Sequence, residues 1–93
     1  MFAGAKTMIN LKTNPVEWAG LMYELDDLKE HLESLMAQMN ESGEIEVEDY
    51  RVQIGHLYAH LNRSWNSRNA TANAVEKNFD KLTKFPTDIE TYG

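Results

Sequence analysis

The 93 residues contain no cysteine. That absence excludes disulfides and thiolate metal sites, and it fits a reducing compartment. No apolar run approaches the ~18 residues that would span a membrane. The opening MFAGAKTMINLKT lacks the apolar core of a secretory leader. Five glycines are scattered along the chain, and none builds a Gly-x-x-x-x-Gly-Lys loop or a dinucleotide fingerprint. None of Ser34, Ser42, Ser64 and Ser67 sits in a Gly-x-Ser-x-Gly turn. No basic run or aromatic repeat marks a nucleic-acid surface, although Trp65, Arg63, Arg68 and Asn69 lie close in sequence. These absences point to a cytoplasmic, non-enzymatic protein without a cofactor, and they disfavour nucleic acid and membrane as partners. Three Asn-x-Ser/Thr sequons begin at Asn40, Asn62 and Asn69 and carry no meaning in that compartment.

What the chain does contain is charge and helical periodicity. Net charge is -6. Asn14 to Tyr50 carries eleven acids and one base, whereas Arg51 to Lys84 carries six bases and two acids. Such asymmetry suits two segments lying against each other. Asn14, Pro15 and Glu17 form a helix start: a cap, a first-turn proline and an acid able to reach back. Trp18, Leu21, Leu25, Leu28, Leu32, Leu35 and Met39 then recur at alternating steps of 3 and 4, a strict heptad seam. Met22 and Met36 widen the stripe. Asn40 to Gly43 ends it, with Gly43 suited to a left-handed terminal residue. A second helix is expected from about Glu46, with Glu46, Glu48 and Asp49 at its positive dipole end. Its seam is Val47, Tyr50, Ile54, Leu57 and Leu61. An extra step of four follows, to Trp65, before Arg68, Ala72, Val75, Phe79 and Leu82 continue the pattern. Pro86 stops it.

The expected fold is therefore all-α: one domain over 1–93, a long antiparallel hairpin of about 14–40 and 46–84, with less regular ends at 1–13 and 86–93. A continuous or kinked second helix is favoured over a break at 66–73, in which Asn73 would cap a third helix. The short link sets a facing rule: position i lies opposite about 86 - i, so Leu28 meets Leu57 and Leu21 meets Trp65. By that rule the residues beyond 72 outrun their partner. Either Phe2, Met8, Ile9 and Leu11 fold back over them, or a second copy does. Trp65, Arg68, Val75, Phe79 and Leu82 are the expected interface of a homodimer forming a four-helix bundle, with Arg68 stacking on Trp18 or pairing with Glu17.

His56 and His60 stand at i, i+4, so both can ligate one metal ion. His31 lies opposite on the first helix, and Asp27 is one turn before it. The Glu-x-x-His pattern of di-iron bundles is absent: Leu28, Gln53 and Leu57 occupy the positions three before each histidine. Histidine pairs at this spacing also occur as solvated residues. The leading functional reading is thus a helical protein–protein interaction or regulatory module with a homodimer or other protein partner. The alternative is a small metal- or ligand-binding bundle using His31, His56, His60 and Asp27.

Overall fold

The computed structural model describes residues 8–93, and over them the chain is all-helical, with no strand. Residues 1–7, which include Phe2 of the expected fold-back segment, lie outside the described residues. Among the described residues four helices follow one another: α1 (Pro15–Ser42), α2 (Val47–Asn66), α3 (Ala72–Lys77) and α4 (Phe79–Thr83). Helices α1 and α2 form the antiparallel hairpin. Among the described residues no helix is long and apolar enough to cross a membrane.

Helix α1 starts where Pro15 permits it, but the cap differs from expectation. The Asn14 side chain makes no capping bond. The turn is held one step earlier, where the Asn10 side chain accepts from the Lys12 and Thr13 N–H groups at 2.8 and 3.3 Å. Glu17 accepts from the Ala72 N–H at 3.2 Å instead of reaching back to the cap. At the other end Gly43 adopts φ 73° and ψ 10°, and its N–H donates to the Met39 carbonyl at 2.8 Å. A side chain at that left-handed position would be strained, which is why glycine closes the helix there.

The second helix breaks. It ends at Asn66, and Ser67–Thr71 turns the chain. Asn66, Ser67 and Asn69 are residues whose side chains compete with helical backbone bonds, so a run of them weakens continuation. Thr71, not Asn73, caps α3, its hydroxyl accepting from the Ala74 N–H at 3.2 Å. The break sends α4 back across α2. Asn62 Nδ2 donates to the Thr83 carbonyl at 2.9 Å, and Asn66 Nδ2 donates to the Leu82 and Lys84 carbonyls at 2.8 Å each. The apolar residues after Asn69 are therefore covered in part by the chain's own hairpin and form no straight overhang.

Two helices bury only the line between them. Leu35 and Leu57, 3% and 9% exposed, are the buried apolar residues among those described. Leu21 and Leu28 are half-buried, while Leu25, Leu32, Met36, Tyr58 and Leu61 stay 41–54% exposed along one flank. Near the link, Val47 stands 82% exposed, so the facing rule, which would set it opposite Met39, gives no closed rung there. At the open end of the flank, Leu25, Tyr58, Leu61, Trp65, Phe85 and Ile89 border a groove of about 610 Å³.

Candidate metal centre

The other flank of the hairpin is polar, and it has its own heptad register. On α1, Glu24, Asp27, His31, Ser34 and Gln38 follow each other at steps of 3, 4, 3 and 4. On α2, Asp49, Gln53, His56, His60 and Arg63 follow at 4, 3, 4 and 3. Antiparallel pairing sets the two series against each other, position i opposite 87 - i. Near the link, Gln38 Nε2 donates to Asp49 Oδ2 at 3.3 Å and Gln53 Nε2 donates to Gln38 Oε1 at 3.0 Å. Farther along the seam the rungs are His31–His56, Asp27–His60 and Glu24–Arg63.

Four side chains from two helices converge there. Asp27 and His31 occupy one face of α1 at i, i+4, and His56 and His60 occupy one face of α2 at the same spacing. One ligand atom from each lies within 4.8 Å of all the others. His60 Nε2 stands 3.0 Å from Asp27 Oδ2 and 3.1 Å from His56 Nε2, and His31 Nε2 stands 3.5 Å from Asp27 Oδ2. A tetrahedral zinc with bonds of about 2.0–2.1 Å spaces its ligand atoms by roughly 3.3–3.4 Å. These three separations bracket that spacing, and the remaining pairs of the four lie within 4.8 Å, so modest side-chain adjustment would close the set on an ion. The rings pack as a trio, with His31 to His56 centroids 4.4 Å apart and His56 to His60 centroids 4.8 Å apart.

The tautomer of His60 follows from its neighbours. His60 is 4% exposed, and its Nδ1 lies 2.7 Å from Glu24 Oε1. Arg63 Nη2 also lies 3.2 Å from Nδ1, but it has Glu24 Oε1 as its acceptor, and the shorter contact, to a carboxylate that only accepts, assigns the proton to Nδ1 as donor. In a neutral ring Nε2 is then a bare lone pair. It faces a carboxylate oxygen and a second ring nitrogen, so the junction calls for a cation, either a proton or a metal ion. Glu24 is itself fixed: Arg63 Nε donates to Oε2 at 2.7 Å and Arg63 Nη2 donates to Oε1 at 3.2 Å. A carboxylate holding the remote nitrogen of a ligating histidine is the usual outer support of imidazole metal sites. The His56 imidazole is held below its ordinary value, first by the partial desolvation of a ring packed against its neighbours on an otherwise exposed residue, and then by the nearby His31 and His60. A neutral ring at neutral pH is the form that ligates. Asp27 is half-buried, while His31 and His56 lie toward solvent, so an ion can enter from the open side.

All four metal-ligand candidates read from the sequence are thus brought together. Glu24 and Arg63, which that reading did not connect to the histidines, adjoin them through His60. The expected interface residues are dispersed. Trp65 Nε1 donates to Asp88 at 2.9 Å, and Arg68 stacks on Trp65 at 3.7 Å and pairs with Asp88. Arg68 therefore uses neither Trp18 for stacking nor Glu17 as its ion pair. Val75 is half-buried on α3 beside the start of α1, near Val16 and Gly20. Phe79 and Leu82 lie on α4, with Phe79 against Arg63 at 4.6 Å. Charge asymmetry is matched across the hairpin at one ion pair among the described residues, Glu24 with Arg63; Arg51 pairs within α2 with Glu48. Comparison with family models, curated proteins and solved structures found no match.

Proposed function

We propose that the protein binds one divalent transition metal ion of the zinc class between α1 and α2, through His31, His56, His60 and Asp27. The observation that carries this reading is the convergence of four donors within 4.8 Å, two from each arm of the hairpin. Imidazole suits zinc, cobalt, nickel and copper, and three imidazoles with one carboxylate in a tetrahedral array favour zinc or cobalt. Four protein donors fill such a sphere, which supports holding the ion over using it in catalysis. The role is thus non-enzymatic, and the cysteine-free chain suits a reducing cytoplasm. Zinc titration by calorimetry tests it: about one equivalent per chain is expected, and no heat beyond dilution refutes it.

The exposed apolar flank supports a second role, as an interaction module that forms a homodimer. A strip containing Leu25, Leu32, Met36, Tyr58 and Leu61, each 41–54% exposed, is of a kind that soluble monomers seldom keep bare. A two-fold pairing covers it with the same strip of another copy and yields a four-helix bundle. This face lies across the hairpin from the histidines, so the two roles are compatible. Sedimentation equilibrium is expected to give a dimer for the wild type and a monomer for Leu61→Asp. A monomeric wild type at tens of micromolar, where an association of about 8 kcal/mol would show, refutes the pairing.

A further inference from the structure

Arg63 is 7% exposed, and its two ends serve different parts of the molecule. Nε and Nη2 hold Glu24, the carboxylate that orients His60. Nη1 donates to Thr83 Oγ1 at 3.1 Å, and the guanidinium carbon lies 4.6 Å from the Phe79 ring centroid. Thr83 and Phe79 are the last and first residues of α4. A five-residue helix has no stability of its own and persists only where it is docked. Beyond Arg63, its polar anchors on α2 are the bonds from Asn62 and Asn66 to backbone carbonyls. The segment is thus held by docking alone, and one of its anchors, Arg63, also holds the carboxylate that orients His60.

We infer that metal loading and the seating of α4 are coupled through the relay His60–Glu24–Arg63–Thr83. The inference rests on the metal reading above. A cation on His60 Nε2 makes the Nδ1 proton a stronger donor and pins Glu24. A pinned Glu24 fixes the Arg63 guanidinium in the position that Thr83 and Phe79 require. Linkage makes the effect mutual: whatever factor the ion adds to the seating equilibrium, seating adds to the affinity for the ion. Glu24 and Arg63 are positioning residues in this scheme, since neither supplies a donor to the ion.

Hydrogen exchange on the full chain, with and without zinc, tests the coupling. Amides that exchange by local opening are indifferent to a ligand unless the ligand biases that opening. Zinc is expected to slow exchange in Phe79–Lys84 about 3- to 10-fold, in the range of couplings carried by such networks. Thr83→Val keeps the shape and removes the hydroxyl that Arg63 reaches. It is expected to weaken zinc binding by a similar factor, although Thr83 is not a ligand. Zinc that binds the wild type while leaving exchange in this segment unchanged overturns the coupling and leaves the metal reading intact. So does a folded Thr83→Val that binds zinc as tightly as the wild type. Failure of the wild type to bind zinc sinks both readings. The wild-type exchange measurement decides the matter even if the variant does not fold.

Discussion

Glu24→Ala is the perturbation that strikes the site hardest without touching a metal ligand. The Glu24 side chain is 13% exposed and that of Arg63 is 9% exposed. The carboxylate receives three donors: His60 Nδ1 at 2.7 Å, Arg63 Nε at 2.7 Å and Arg63 Nη2 at 3.2 Å. Removing it leaves a buried guanidinium with no counter-charge and an imidazole N–H with no acceptor. Breaking a buried pair from one side costs about 3–5 kcal/mol. A chain of this length has a total stability of roughly 5–14 kcal/mol. The variant should therefore lose a large share of its stability, or fail to fold. Glu24→Gln keeps the volume and one acceptor oxygen and should lose less, about 1–3 kcal/mol. Replacing both partners, as Glu24→Leu with Arg63→Met, removes the unpaired charge and should recover most of the loss. Urea melts followed by Trp18 and Trp65 fluorescence, with chelator present, read these differences for the metal-free fold. A loss under 1 kcal/mol for Glu24→Ala, or a double replacement no better than the alanine variant, would refute the argument that this pair holds the seam.

Two further expectations concern packing and protonation. Leu57→Ala should cost about 2–5 kcal/mol, because Leu57 fills the buried line between the helices, whereas Leu25→Ala on the open flank should cost less than half as much in dilute monomer; equal losses in a denaturant melt would mean that the core is misplaced. His56 should titrate below the ordinary imidazole value of 6.5, since burial and the neighbouring His31 and His60 both oppose its charge, Arg63 adds to them, and Asp27 only partly offsets them. Between that value and the lower native one, the unfolded chain binds more protons than the native one. The contribution of His56 to stability is therefore complete above about pH 6.5 and is lost as pH falls through the window. An NMR titration of the His56 ring with a midpoint at or above 6.5 would contradict the geometry.

The hairpin was legible because its leucine seam repeats without fault from Trp18 to Met39 and because Asn40–Gly43 can only be a stop. The facing rule was accurate to about one residue: Asp27 meets His60 and Glu24 meets Arg63. The end of α2 was not legible in the same way. An apolar pattern resuming at Ala72 fits a continuing helix and a fold-back equally well. The choice is made by asparagines and a serine that release the backbone, and by Asn62 and Asn66 binding carbonyls 16–21 residues away. Periodicity carries no information about such long-range bonds. Asp27, His31, His56 and His60 could be found from spacing alone. Glu24, read as part of a solvated acidic edge, and Arg63, read beside Trp65, were not connected to the histidines, although they extend the same polar heptad by one rung. The signal was that a second seam, made of polar residues, accompanies the leucines. Acids on a helix usually face solvent, and that expectation concealed a carboxylate whose side chain is 13% exposed.

The central claim is that four side chains of one hairpin hold one metal ion. The most direct test is a cobalt titration of untagged protein, read in the visible bands of tetrahedral cobalt. The expected result is saturation at about one equivalent per chain, displacement by zinc, and loss of the bands in both His31→Ala and His60→Ala. One ligand from each helix is removed by that pair of variants, so loss in both requires the ion to bridge the hairpin. An absence of tetrahedral bands, or bands that survive either substitution, would contradict the site.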